Sequence, residues 1–470
     1  MAVNSEHKEY QRHKGRWRKV RDCVEGEDAI KDAGTTYLPK PLGWSREAYE
    51  QYLSRARFSN FTGRTAEALH GSVFSRLSAQ SNDLSESFGD FLGNIDNAGA
   101  SIYEFAAEFC RDVLQTGWGG ILADHPPTPE GISRADVDRL ELKSYLKWYA
   151  AENVINWQYG TEDGRTFLSL AVLRETFADG GDEFAPTVKT RYRVLRLTDG
   201  VYTQQVYTPN EGGDGDDEFI LDEIVTPEMG GEPFRFIPFF PVSSRGPEKS
   251  ILLDLANENL GHYQDMADLN NSLHMFGIAT PWASTKDIPI DKKTGEPKIA
   301  PLGGGTFIWY GENTTTGYLE PSGNGIAHSQ RKIDASEQRM RILGAKPLEA
   351  GTKGVEAAAT ARIHAAAANS VLGSFAVNIA GTITQAARLG ARWRGVPDAE
   401  AETWEFSLNT NYDGDLAETE KRKLALEQVD NGTMSKHRFL VDIDGMRPAD
   451  AAEEIRRLRA EGSMSYEGEQ

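Results

Sequence analysis

The run IAHSQRKIDASEQRMRIL at 326–343, followed by GAKPLEAGTKG at 344–354 and VEAAATARIHAAAANSVLGSFAVNIAGTITQAARLGARW at 355–393, decides the fold. In the first segment Ile326, Ile333 and Met340 recur at seven-residue steps. This predicts a helix with one thin apolar stripe, its other faces covered by Arg331, Lys332, Asp334, Glu337, Arg339 and Arg341. So narrow a stripe suits a surface helix, or a stave packed side by side with copies of itself. Pro347 and the bounding glycines make 344–354 a loop, carrying Lys346, Glu349 and Lys353. The third segment predicts a helix on the order of 55 Å long at about 1.5 Å per residue. Its first half is almost all alanine, and Leu372, Phe375, Ile379, Ile383, Ala386 and Leu389 keep three/four spacing. Small side chains let neighbouring helices approach closely, and Gly373 and Gly381 could allow a bend.

Upstream, 252–275 reads as a helix with Leu252, Leu255, Met266, Leu269 and Leu273 in register. Asn259 and His262 interrupt it, and His262 and His274 read as polar face rather than ligands. Between this helix and the next lies a small β-rich insertion, in which 306–310 and 317–320 can pair as a hairpin. Two helices bracketing a compact insertion predict an antiparallel pair with a small module at its tip.

The N-terminal half mixes periods. Lys8, Arg12, Lys14, Arg16, Arg18, Lys19 and Arg21 form a basic patch, read as a solvated helix face or as a docking surface. Helices are expected from Ser45, over 62–74, and over Ile102–Val113 until Gly117 stops the last. A short buried strand follows at 120–123. From about Asn153 the period becomes two, with strands at 154–157, 167–172, 191–197 and 201–207 and a hairpin turn at Asp199-Gly200. EGGDGDDE at 211–218 lacks the spacing of a calcium loop and reads as a turn, and 234–242 as a further strand. Past the long helix, 404–408 is a strand candidate returning to the earlier sheet, and helices are expected at about 415–427, 435–441 and 448–460.

A chain of 470 residues can bury a large core in two or more units. Its formal charge of −20 argues against a protein that grips nucleic acid, though not against one that lets it slide past. Cys23 and Cys110 form no metal-like pair and fit a reducing, cytoplasmic site of synthesis. No segment has membrane-spanning character. No P-loop, GxSxG, HExxH or zinc-spaced set occurs, so no cofactor or metal is expected and the chain is read as a non-enzyme.

Taken in order, several segments resemble those of bacteriophage portal proteins, particularly a portal-like group known only as a domain of unknown function. They are Tyr37-Leu38-Pro39-Lys40-Pro41; Tyr52 with Arg55-Ala56, Phe58 and Asn60; Leu69, Gly71, Val73 and Phe74; and Gly120-Ile121-Leu122-Ala123-Asp124-His125-Pro126. Ile155-Asn156-Trp157, GHYQDMADLNNSL at 261–273, Glu337, Met340, Gly344-Ala345, Thr360-Ala361 and the run from Leu408-Asn409 to Asp415 continue the likeness. The order of the pieces, rather than any one of them, carries it.

The resemblance implies an α+β portal fold. It divides the chain into a mixed α/β wing (1–250), a stem helix (251–276), a small β-rich clip (277–325) and a second stem helix (326–343). A tunnel loop facing DNA (344–354), a long kinked helix with a wing return strand (355–412) and a helical crown with the tail (413–470) would follow. It also implies a dodecameric ring at a capsid vertex of the virion, conducting double-stranded DNA during packaging and ejection. Terminase, the major capsid protein and a head-tail adaptor would be its partners, without a membrane. On this reading Lys346, Glu349 and Lys353 touch DNA, Ile326, Ile333 and Met340 pack the stem, and Leu372, Phe375, Ile379 and Ile383 lie between subunits. Two alternatives stand beside it: an enzyme with a carboxylate site between the sheet and the long helix, and another oligomeric virion or scaffold protein.

Overall fold

A computed structural model describes residues 2–75, 84–126, 139–140, 142–182, 184–210, 218–276, 280–284, 290, 315–319, 324–344, 358–410, 423–429, 431–443, 451 and 454–457. The chain forms two units, one of residues 1–70, 81–345 and 382–405, the other of residues 71–80, 346–381 and 406–470. The fold is α+β.

In the first unit, α1 (Lys8–Glu25) buries Tyr10, His13, Trp17, Val20 and Cys23, whose three- and four-residue spacing puts them on one face. The basic residues lie mostly on the other faces, except Arg21, which bridges Asp112 at 2.6 Å and Glu152 at 2.6 Å. After α2 (Glu27–Asp32), α3 (Arg46–Arg55) starts at Ser45, whose Oγ accepts from the Ala48 amide. Next come α4 (Phe61–Phe74), α5 (Glu86–Gly93) and α6 (Ile102–Thr116). A Ser101/Glu104 capping box opens α6, and Gly117 closes it with φ 75°, the left-handed conformation that a residue without a Cβ adopts free of steric strain.

Strand β1 (Gly119–Asp124), buried throughout, is the middle of a three-stranded antiparallel sheet between β2 (Tyr145–Ala150) and β10 (Phe239–Pro241). A five-stranded antiparallel meander follows: β3 (Val154–Glu162), β4 (Arg165–Asp182), β5 (Ala185–Thr198), β6 (Val201–Pro209) and β7 (Phe219–Val225). Asp199 and Gly200 turn β5 into β6 with φ 51° and 71°. Asp163 and Gly164 do the same between β3 and β4 with φ 49° and 76°, a second Asp-Gly hairpin. The small pair β8 (Glu228–Met229) and β9 (Glu232–Pro233) precedes β10.

Strands β4 and β5 outrun their neighbours. Pairing with β3 ends at Leu173, and pairing with β6 ends at Tyr192. From there to Asp182 and Ala185 the hairpin is a two-stranded ribbon.

The long α7 (Leu253–Phe276) leads to β11 (Thr280–Ser284), which pairs antiparallel with β12 (Thr315–Leu319) before α8 (Asn324–Gly344) returns. The hairpin partner of 317–319 is thus 280–282; the expected partner 306–310 lies outside the described residues, as does 211–217 of the acidic turn. Helix α9 (Ala358–Trp393) is helical without interruption through Gly373 and Gly381, and α10 (Asp398–Thr403) follows. Within the first unit α9 buries Ile383, Ala386, Ala387, Leu389 and Ala391. There the Phe91 ring rests on Gly390, where an added Cβ would meet it at 2.4 Å.

In the second unit α9 buries Leu372, Ala376, Ile379 and Ala380. The expected return strand at 404–408 is not one: these residues join no sheet. Beyond them, the Asn409 amide donates to the Val73 carbonyl at 3.0 Å, and its side chain donates to the Ser72 carbonyl. Asn409 thus satisfies carbonyls left over at the C-terminal end of α4. Residues 423–429 form α11, and α12 (Lys436–Asp442) is capped by Ser435.

Candidate functional site

Helices α7 and α8 form an antiparallel pair joined through the β11–β12 hairpin, and the pair is held by an apolar seam flanked by charges. On α8, Ile333 and Met340 are each 1% exposed, whereas Ile326 is half-buried. Leu252, just before α7, and Leu255, Ala256, Leu260, Tyr263, Ala267 and Leu269 of α7 are buried. The heptad stripe is therefore covered from within the chain. This leaves Ile342 and Leu343 of α8 exposed, and those outer faces are what the helix pair offers to anything outside it.

Charge sets the register. Lys332 pairs with Asp265 at 2.6 Å and Arg339 with Glu258 at 2.7 Å, while Ser336 donates to Glu258 at 2.9 Å. The acids stand seven residues apart on α7 and the bases seven apart on α8, in reverse order, as antiparallel helices require. Lys332 and Arg339, expected only to cover the outer faces of α8, are thus tied to α7. The matching heptad spacing of Glu258/Asp265 and Lys332/Arg339 was the available signal for the ladder. Burial raises the Glu258 carboxyl, but hydrogen bonds from Arg339 and Ser336 outweigh it and hold it below its ordinary value.

Two polar residues of α7 face inward. Asn259 is fully buried: its Oδ1 accepts from the Thr62 amide and hydroxyl, and its Nδ2 donates to the Ser59 carbonyl, so it ties α7 to the start of α4. His262 is 1% exposed, which corrects the expectation that it lies on a polar face; His274 is exposed, as expected. Among the described residues neither ring nitrogen of His262 has a hydrogen-bond partner. Burial pushes its pKa below the ordinary imidazole value, against the opposing pull of Glu337, whose Oε1 is 3.7 Å from Nε2. Outside the pair, Tyr52 donates to Asp268 at 2.6 Å and Arg55 to Asn271 at 3.1 Å, clamping α3 onto α7.

Gly344 closes α8 in a tight place. A Cβ there would stand 2.6 Å from Thr65 Oγ1 and 2.8 Å from Leu255 Cδ2, so only glycine lets the helix end seat against α4 and α7. The loop it begins, with Lys346, Glu349 and Lys353, lies outside the described residues. On α9, Leu372, Ile379 and Ile383 are buried and Phe375 is half-buried; Val371 and Val377 are exposed.

Glu175 of β4 is a buried carboxylate of the meander. It receives Lys147 at 2.7 Å, Arg191 at 2.9 Å, Arg193 at 3.3 Å and the Tyr149 hydroxyl at 2.6 Å. Burial alone would raise its pKa; Arg193 and Lys147 outweigh burial and hold it far below the carboxylate range. With every lone pair engaged and no proton to give near neutrality, Glu175 is a structural anchor and a poor general acid or base. Beside it lies a cleft of about 440 Å³ lined by Lys147, Trp148, Tyr149, Asn153, Arg174, Glu175, Thr176 and Thr190. Among the described residues no group of three or more metal-ligating side chains occurs, and no helix is long and apolar enough to cross a membrane.

Residues 251–394 match the family described as a domain of unknown function, DUF4055. The match begins just before α7 and ends just after α9. No protein of curated description matches the sequence. Among solved structures, the chain is similar to one in the virion of a native gene transfer agent particle. That likeness has 14% identity and a TM-score of 0.38, covering 89% of this chain and 99% of the other. It is similar also to a chain in the neck of an empty gene transfer agent particle, with 12% identity and a TM-score of 0.38, covering 90% and 100%.

Proposed function

We propose that this chain is the subunit of a phage portal: a dodecameric ring at a capsid vertex of the virion through which double-stranded DNA is packaged and ejected. The observation that carries this reading is the antiparallel pair α7/α8, bridged by a small β hairpin and followed by the long, small-residue helix α9. It is the stem, clip and long-helix order that the sequence resemblance implies. In this reading the intrachain seam makes each stem a rigid two-helix stave, and copies meet along the outer faces of α7, α8 and α9. The loop at 344–354 faces the channel, where Lys346 and Lys353 touch phosphates in passing while the acidic total keeps DNA from adhering. Terminase, capsid and adaptor proteins would bind the ring's two ends and rim. Saturation of Glu175 favours this reading over an enzyme built on a carboxylate of the sheet.

Mass photometry and negative-stain imaging of the purified protein test it. Rings with a central channel are expected; a monomer or dimer without a pore overturns the reading. Lys346→Glu combined with Lys353→Glu should leave rings intact and impair packaging or DNA retention, and a normal packaged genome length in that variant would reject the loop's role.

A further inference from the structure

The β4–β5 ribbon is unusually exposed for a protein hairpin. Beyond Leu173 and Tyr192 it has no third strand among the described residues, and it reaches roughly 25 Å at about 3.3 Å per residue. A two-stranded ribbon alone in water is marginal. Near its tip, Phe184 is 90% exposed and Val188 is also exposed, with Asp182 beside them; Asp179 is paired with Lys189 of the same ribbon. An aromatic held out at the end of a projecting arm is surface in search of a pocket.

A pocket of suitable size and opposite charge lies at the root of the same ribbon. The cleft of about 440 Å³ is lined by Lys147, Tyr149 and Arg174, among others. Glu175 within it is shared by three cations, Lys147, Arg191 and Arg193, so the cluster keeps a positive excess to which Arg174 adds. The tip of an extended ribbon cannot reach its own root, so within one chain the cleft and the arm remain apart.

We infer that the acidic, Phe184-bearing tip of the β4–β5 ribbon docks in the Lys147/Arg174 cleft of a second copy of this chain, linking neighbours head to tail. This rests on the ring reading above and adds the contact that fastens adjacent subunits. A tip that enters a different patch on the neighbour is a heterologous contact, which closes into a ring when the rotation permits. Phe184 supplies the buried anchor and Asp182 the pairing with Lys147 or Arg174 across the rim.

Disulfide trapping in the full chain tests it. Ala185→Cys places a thiol beside the intact Phe184, and Thr176→Cys places one at the cleft; both sites are exposed. The native Cys23 and Cys110 are buried, and burial pushes both thiols up to about 12, which keeps them out of the exchange. The double variant should give a reducible ladder of covalent oligomers, and each single variant none. Phe184→Asp should raise the protein concentration needed for assembly at least tenfold. Intact rings without a ladder, a disulfide formed within one chain, or unimpaired assembly of Phe184→Asp each overturns the ribbon contact while leaving the ring reading standing. Absence of rings in the unmodified protein removes both.

Discussion

His262 of α7 and Glu337 of α8 face each other across the helix pair, with Nε2 3.7 Å from Oε1, too far for a hydrogen bond although the imidazole is almost wholly buried. Glu258 and Asp265 of its own helix and the edge of Phe61 complete its surroundings. Burial favours the neutral form of the ring, so its contribution depends on pH.

Because burial depresses the folded pKa of His262, the unfolded chain takes up a proton that the folded chain refuses as pH falls through about 6.5. Stability supplied by the neutral ring is complete above that value and is lost below it, levelling off under the folded pKa. Melting temperature should therefore drop between pH 7.5 and pH 5.5. His262→Leu keeps the apolar volume without the titrating group and should flatten that drop; an equally steep profile in the variant would reject the assignment.

Glu175→Gln leaves Arg191, Arg193 and Lys147 gathered around a neutral amide in a mostly buried place. Removing one member of such a cluster typically costs about 3–5 kcal/mol. Denaturant unfolding should read a loss of that order at pH 7. The sign in acid follows from the depressed folded pKa: the contribution is full above about pH 4.3 and shrinks progressively as pH falls below it. At pH 3 the gap between parent and variant should be smaller than at pH 7.

Ile333 and Ile326 occupy equivalent positions of one heptad stripe but not equivalent surroundings. Ile333→Ala should destabilise the chain by about 2–4 kcal/mol through a cavity in the α7/α8 seam. Ile326→Ala, at a half-buried site, should cost less than about 1 kcal/mol. Equal effects in thermal or chemical denaturation would show that the stripe is not seated as described.

Gly344→Ala forces a methyl against Thr65 and Leu255, and overpacking of this kind costs about 1–3 kcal/mol. Combining it with Thr65→Ala clears the nearer obstruction and should recover part of the loss. If Gly344→Ala alone leaves the melting temperature unchanged, the close approach at the helix end is not required.

Local signals carried much of this fold. Ser45, Ser101 with Glu104, and Gly117 marked helix ends because a cap is chosen by the few residues around it. Alternation marked the meander, and Asp199-Gly200 its turn, since that dipeptide tolerates the positive φ a tight hairpin demands. Asp163-Gly164 bore the same signature and went unread, and β2 and β7 were missed. The segment at 404–408 shows the opposite failure: an alternating pattern that could pair in a sheet but instead runs free of one, since pairing needs a partner edge that pattern alone does not supply.

By itself, the sequence determined the helix periods, the hairpin turns, the acidic total and the succession of helix, insertion, helix and long helix, because each depends on neighbours within a few residues or on composition. Only the tertiary structure decided that His262 is buried, that the Ile333–Met340 stripe is covered by α7 of the same chain, and that Glu175 is surrounded by cations. Burial and pairing are set by residues tens to hundreds of positions away, brought together by packing that no local pattern encodes.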